Sequence, residues 1–357
     1  MNVLLNGATH GTNFGDFLFA KAFQDYVGTI VGKENVFWYN SRYTMSKFYA
    51  DRLNNNIKPL KQMDALVYIS GGYFCGNDKC IKDYIIRYLT YFHLGMQCIF
   101  RNIPYAIIGL EVSEPKSKLM KLIQKIILKK ADVVVVRNKE SLEFLEKYGV
   151  KDGICTADTV FALKADLYED YLPNDEIINC DKKKIFMHVD SSAEINNLLA
   201  DKVFPVVNSF LDKHPEYAVV IGMDQYVDNQ HEILHDLSHK INAETVILNI
   251  YDNPLELVNV IKECDVVVTH KLHVGIVGAK LSKSVISFSG HTEKIKRLYE
   301  QLNVAERSIA LDELTTAKGV EMLEKFHKEP IIVPGEIISD AEKNFEILKD
   351  FIVKIGK

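Results

Sequence analysis

The sequence predicts an α/β protein of two domains, each a parallel sheet with helices on both faces. Three observations carry this expectation. Short apolar runs alternate with helical patterns, as where the four valines at 133–136 precede the amphipathic stretch 139–148. Runs that are apolar at every position fit strands covered on both faces, which parallel sheets require. The alternation lapses once, over residues 166–184, where an acidic segment carries Pro173. The length, 357 residues, is about twice that of an ordinary domain.

In chain order, residues 1–165 form the first domain, with strands expected at 3–5, 65–69, 105–108 and 133–136 and helices at 17–27, 81–101, 117–130 and 139–148. Residues 166–184 are the linker. The second domain, 185–338, has strands expected at 185–189, 218–221, 246–248, 266–268 and 285–288, with helices at 203–213, 229–242, 254–264 and 273–280. The remainder, 339–357, reads as an amphipathic helix with a capping box in Ser339-Asp340-Ala341-Glu342. Its Phe345, Leu348 and Ile352 could dock on either domain.

Composition narrows the function classes. Hydrophobic residues at 47% and charged residues at 25% describe a folded chain with material for two cores. A formal charge of -5 excludes nonspecific binding to nucleic-acid backbone. The six cysteines, at 75, 80, 98, 155, 180 and 264, show no C-x-x-C and no regular spacing, so neither a zinc site nor a disulfide framework is expected, and free thiols suit the cytosol. The first residues lack the pattern of a signal peptide and no run of about 18 apolar residues occurs, so the chain is expected to be cytoplasmic.

Open α/β sheets bind ligands beyond the carboxyl ends of their strands, so the following loops are where chemistry is sought. The first, Gly7-Ala8-Thr9-His10-Gly11-Thr12-Asn13-Phe14-Gly15-Asp16, can bring backbone N–H groups close to an anion or a sugar. It matches neither a P-loop nor G-x-G-x-x-G, and a tight turn with Asp16 favourably placed at a helix start explains it equally. Ser70-Gly71-Gly72-Tyr73 admits the same two readings. Arg137, directly after four valines, can offer a guanidinium fork to a carboxylate or phosphate, or can be an exposed cap of the next helix. The stretch 263–279 reads strand, polar Thr269-His270-Lys271, then a helix rich in small residues. Lys271 and His273 there could meet an anion with a cation, a helix N-terminus and a proton donor. Ser289, Gly290 and Lys294 follow the next strand, on either side of His291, and join the same rim.

Taken in order, these pieces resemble the polysaccharide pyruvyl transferase family: the loop with Asn13, Gly15 and Asp16, then Gly71-Gly72, Val136-Arg137 with Ser141, Asp158 in Ala157 to Leu163, Lys271-Leu272-His273, and Lys294. The resemblance runs from about residue 1 to about residue 305, and its specificity lies in the ordered set. It implies two facing Rossmann-like domains similar to the B-type glycosyltransferase fold, and transfer of pyruvate from phosphoenolpyruvate onto a sugar as a ketal. Arg137, Lys271 and Leu272 would bind the donor, and His273 would match the family's histidine. Where the family commonly has Arg-Leu-His, this chain has Lys271, a point charge in place of a fork. A third glycine expected after Gly72 is Tyr73, on what would be the acceptor side.

Such a donor carries a carboxylate and a phosphate, so its site needs converging cations, for which Arg137, Lys271 and Lys294 stand, with Ser289 and Gly290 beside them. His273 is then expected as general acid or phosphate partner, and Asp16 as the group that deprotonates or orients an acceptor hydroxyl. The loops with Asn13, Gly15, Gly71 and Gly72 would shape the acceptor side. This chemistry requires neither metal nor cofactor beyond the donor. Two other functions stay open: a nucleotide-sugar glycosyltransferase of the same fold, and a non-catalytic binder of glycans or phosphorylated ligands.

Two features stand outside this scheme. His231, Glu232 and His235 give His-Glu-x-x-His, with His239 one turn on, but no third ligand is apparent and an exposed polar face is the expectation. Residues 116–130 hold six lysines and no acid. Leu119, Leu122, Ile123, Ile126 and Ile127 are expected to cover the first sheet, leaving the lysines solvated. The competing reading has Lys116, Lys118, Lys121, Lys125, Lys129 and Lys130 meet anionic lipid at the inner face of the cell membrane, near a lipid-linked acceptor.

Overall fold

The computed structural model describes residues 1–39, 45–53, 59–76, 80–164, 168–171, 175–248, 253–290 and 292–357. His291, residue 165 and parts of the acidic segment expected as linker, 166–167 and 172–174, lie outside them. The chain divides into two compact units. The first comprises Met1–Thr12, Asp16–Leu163 and Gly335–Lys357; the second comprises Asn13–Gly15 and Lys164–Pro334.

The first unit is built on seven parallel strands: β1 (Val3–Asn6), β2 (Val36–Trp38), β3 (Ala65–Tyr68), β4 (Gly71–Phe74), β5 (Tyr105–Val112), β6 (Val133–Val136) and β7 (Ile154–Cys155). Their order is β2-β1-β3-β5-β6-β7, with β4 paired to a later part of β5. Val3 lies opposite both Val36 and Ala65, and Ala106 opposite Val133. Every residue of β1, β3 and β5 is buried, as the uninterrupted apolar runs require of a sheet covered on both faces. Strands β2, β4 and β7 go beyond the sequence expectation. Two are only two or three residues long, and β4 begins Gly-Gly, which reads as a turn.

The second unit has six parallel strands: β8 (Lys183–Val189), β9 (Tyr217–Met223), β10 (Thr245–Ile247), β11 (Val266–Thr269), β12 (Ser284–Ser289) and β13 (Ser308–Ala310), in the order β10-β9-β8-β11-β12-β13. Ile185 pairs with Val219 on one side and Val266 on the other. A core of Val206, Phe210, Ile221, Leu234, Val268 and Ile286 lies between sheet and helices. This unit supplies the neighbouring strand ends β9, β8, β11 and β12 on which the site is built.

Three expectations about helices need correction. The closing helix is Gly335–Ile355, so Ser339 is an interior residue and forms no capping box. It belongs to the first unit, where Phe345 meets the rings of Phe23 and Tyr26 at 5.1 and 4.9 Å. Second, the helix Lys118–Lys130, capped by the Ser117 side chain, buries Met120, Gln124, Ile127 and Leu128, while Leu119 and Leu122 face outward. The inward face includes a glutamine because Gln124 donates to the carbonyls of Phe74 and Ser113 and accepts from the Tyr148 hydroxyl. A buried polar group satisfied in this way costs little and hides the true face from a hydrophobic pattern. Third, the expected single helix over 81–101 is three pieces, Ile81–Arg87, a π-helical turn Tyr88–Phe92, and His93–Arg101.

All six cysteines are free. Among the described residues no helix is long and apolar enough to cross a membrane.

Candidate functional site

At the carboxyl ends of the second unit's strands, buried ionisable groups converge. Asp190 directly follows β8 and Asp224 directly follows β9, while His270 and Lys271 follow β11 and His188 is the penultimate residue of β8. His188, Asp190, Asp224 and His270 are all buried. Asp190 is the hub: its Oδ2 lies 3.0 Å from His270 Nε2 and 2.8 Å from Lys271 Nζ, and its Oδ1 accepts from the Ser192 backbone N–H at 2.9 Å. Asn196 fixes the same turn, accepting from the Asp190 N–H and donating to its carbonyl. Burial opposes charge on Asp190, but the bonds from His270 and Lys271 prevail and hold the carboxyl far below its usual range.

A second pair lies beside the first. His188 Nε2 is 3.3 Å from Asp224 Oδ1, and the imidazoles of His188 and His270 stack with centroids 4.6 Å apart. Asp224 is buried, which opposes its charge, yet His188 brings its carboxyl down to about 2. Burial pushes His270 down to about 4, against the pull of Asp190, so its imidazole is neutral near pH 7. His188 Nδ1 and His270 Nδ1 are buried without a hydrogen bond among the described residues, leaving capacity that the fold does not use.

Asn13–Gly15 belongs to this unit and joins the cluster. The Phe14 N–H donates to the Asp224 carbonyl at 2.9 Å, and Asn13 Nδ2 is 3.4 Å from Asp224 Oδ2. Asn13 Oδ1 also accepts from the Gly15 N–H, ordering the start of the helix Phe14–Val31. Glycine at 15 is dictated by His273, since a Cβ there would lie 1.9 Å from its Nδ1 and 2.2 Å from Cγ, far inside contact distance. His273 is the second residue of the helix Leu272–Lys280. The Lys271 side chain, at the N-cap, makes no capping bond, and the helix's positive end lies at the cluster.

The structure therefore brings Asn13, Gly15, Lys271, Leu272 and His273 together. Ser289 ends the neighbouring β12 with its hydroxyl buried, Gly290 is exposed, and Lys294 is half-buried on the helix Thr292–Gln301. The residues that sequence reasoning missed are His188, Asp190, Asp224 and His270. Asp224 carries a detectable signal, a polar side chain immediately after a wholly apolar strand, which is the pattern that singled out Arg137, whereas the strands before Asp190 and His270 themselves carry polar residues.

The remaining expected residues lie in the first unit. Arg137, expected to offer its fork to a ligand or to be an exposed helix cap, is only 7% exposed and paired on both terminal nitrogens: Nη2 lies 2.6 Å from Glu111 Oε2 and Nη1 2.7 Å from Asp158 Oδ2. Burial opposes the guanidinium charge, but Asp158 and Glu111 more than offset this and raise its pKa. Asp158 also caps the short helix Thr159–Ala162. Arg137 is thus the centre of a buried ion triad. Gly71 and Gly72 lie in β4, not in a loop, and Gly71 has φ 150° with the Tyr73 ring 2.9 Å from where a Cβ would stand. Tyr73 is buried, stacks on Tyr91 at 4.5 Å and donates to the Ile69 carbonyl. Asp16, in the first turn of Phe14–Val31, is close enough to raise the pKa of both phenols beyond the larger effect of burial.

His231 and His235 stack on an exposed helix face, and His239, just past the helix end, meets the His235 ring edge-on. Among the described residues no group of three or more His, Cys, Asp or Glu side chains is placed to hold a metal ion.

The depressed His270 makes a prediction about stability. A histidine that folding holds neutral stabilises the protein fully above its unfolded pKa, about 6.5. That stability is lost as pH falls toward the folded value of about 4, because the unfolded chain takes up the proton first. Denaturant unfolding should lose on the order of 3 kcal/mol between pH 7 and pH 4 from this group. His270→Asn should flatten the slope in that window; an unchanged slope would show that His270 is not held neutral.

Comparison with known proteins places these observations. The chain shares its fold with the UDP-GlcNAc 2-epimerase of Methanocaldococcus jannaschii, at TM-score 0.65 and 11% identity, covering 98% of this chain and 100% of that one. The UDP-GlcNAc 2-epimerase of Neisseria meningitidis, solved bound to UDP-GlcNAc, gives TM-score 0.61 and 12% identity, covering 99% and 100%. These likenesses show a GT-B-type fold built of two parallel-sheet α/β domains. No curated protein matches the chain by sequence. The family model of polysaccharide pyruvyl transferases matches residues 13–292, a span that begins at Asn13 and contains the whole strand-end cluster. The chain belongs to the polysaccharide pyruvyl transferase family.

Proposed function

We propose that this protein transfers the pyruvyl group of phosphoenolpyruvate onto two hydroxyls of a sugar in a glycan precursor, forming a ketal and releasing phosphate. The family match over residues 13–292 carries the reading. In the reaction the donor's methylene carbon gains a proton and becomes a methyl group. The bond from C2 to the phosphate oxygen breaks, two sugar oxygens bond to C2, and each loses its proton, one of which leaves on phosphate.

The geometry supports a division of these tasks. His273, set against Gly15 at a helix N-terminus, is assigned as the proton donor to the methylene carbon. Asp190 already balances one charge of Lys271, so Lys271 contributes its remaining N–H donors more than a net charge. The donor's anionic groups then rely on the positive N-terminus of Leu272–Lys280 together with Lys271, Ser289, Gly290 and Lys294. Arg137 acts at a distance, holding Glu111 and Asp158 in the first unit. Asp16 keeps the assignment of proton acceptor for the sugar hydroxyls. A lipid-linked glycan precursor is the acceptor we favour.

The test is incubation with phosphoenolpyruvate and a candidate sugar acceptor. Phosphate release should require both, and the acceptor should gain the mass of one pyruvate less water. Phosphoenolpyruvate left intact while a nucleotide sugar is consumed would replace this reading with glycosyl transfer.

A further inference from the structure

The first unit carries an apolar surface that its own fold does not cover. On the helix Lys118–Lys130, Leu119 is 64% and Leu122 55% exposed. This helix packs against both Tyr88–Phe92 and His93–Arg101. The same run of helical segments leaves Ile81 75%, Ile85 54% and Phe100 79% exposed, with Leu89 also outward. Single exposed leucines are ordinary, but exposed apolar side chains recur across these four helical segments, of which Lys118–Lys130 packs on two and Ile81–Arg87 on one of those two, and soluble surfaces rarely keep such a set without a use.

The charges around the patch identify its occupant. At 100° per residue, Leu119, Leu122 and half-buried Ile126 share the outward face of Lys118–Lys130. Lys118 and Lys129 lie along one flank of that stripe and Lys130 along the other, all three exposed. Two other lysines of the helix are engaged within the protein: Lys121 pairs with Glu114, and Lys125 lies over the Tyr148 ring. No acid interrupts residues 116–130. An outward apolar stripe bordered by lysines is the arrangement of a helix that lies in the interface of an anionic bilayer, leucines among the upper acyl chains and ammonium groups among the headgroups.

We propose that this face docks the protein on anionic membrane, with the helix Lys118–Lys130 lying in the bilayer plane. The inference concerns this surface alone and is independent of the donor chemistry. It would place the enzyme where a lipid-linked acceptor resides.

The test is flotation of the full chain with vesicles of phosphatidylcholine containing a minority of phosphatidylglycerol, beside vesicles of phosphatidylcholine alone. Binding should require the anionic lipid and weaken as salt rises. Lys118→Glu with Lys129→Glu and Lys130→Glu should reduce it by about a hundredfold or more, at roughly fivefold per lysine removed. Leu119→Ser with Leu122→Ser should reduce it as well, with no loss of thermal stability because both side chains are exposed. In an otherwise native chain, Leu122→Trp should show a blue shift of indole emission on anionic vesicles only. Absence of flotation at low salt would overturn the proposal. So would a wild-type chain that fails to float yet forms a dimer abolished by the leucine variant, which would assign the face to a second copy.

Discussion

Replacing Gly15 with alanine is expected to lower turnover by about two to four orders of magnitude while the fold survives. The alanine Cβ would lie 1.9 Å from His273 Nδ1, so the imidazole must leave its place. His273 is half-buried at a helix start, so it can turn aside without unpacking a core. If His273 delivers the proton to the donor, displacing it costs what a positioned general acid contributes. His273→Ala should lose a similar amount, and the two changes together should lose little more than either alone, because they remove one function. Circular dichroism and thermal midpoint should stay near wild type. Full turnover in Gly15→Ala, at native stability, would remove His273 from the chemistry.

Arg137→Ala is expected to fail differently. Taking away the guanidinium strands Glu111 and Asp158 as uncompensated carboxylates in the interior, which costs about 3–5 kcal/mol. In a unit of this size the thermal midpoint should fall by roughly 10 °C. Adding Glu111→Gln and Asp158→Asn to an Arg137→Met change should restore most of the loss, because no unpaired charge then remains. A variant that keeps its stability and only raises the donor KM would return Arg137 to the binding site and refute the triad as its role.

These two positions show what a sequence does and does not disclose. The alternation of runs such as 133–136 and 266–268 with helical patterns predicts both sheets, because fully buried strands have no polar face to disguise them. β4 was illegible since glycines weaken any strand pattern, and Gly71 is needed there for its φ and for the Tyr73 ring. The hydrophobic pattern points to the wrong face of Lys118–Lys130 because a satisfied glutamine turns inward while leucines turn out. At the site, Lys271 and His273 were found from their place after a buried strand. Asp190 and Asp224 follow β8 and β9 in the same way, but their significance arises from pairing with residues some 80 and 36 positions distant, His270 and His188, which only the fold brings near. Arg137 shows the converse: its sequence position suits a ligand contact equally well, and only Glu111 and Asp158 reveal that it is already occupied.

The helix Gly335–Ile355 bears on how such a chain is made. Its Asn344 is wholly buried, donating to the Ala157 carbonyl and accepting from the Thr156 hydroxyl, so the first unit has a hole in its polar interior until these last residues arrive. During synthesis the second unit is complete before the first can close, and the amino-terminal sheet must wait through about 170 residues of further translation, some tens of seconds at ordinary elongation rates. An enzyme whose first-made sheet is finished last spends that interval with its core uncovered, which makes it a natural client for chaperones and makes cutting between the units a poor way to obtain either alone.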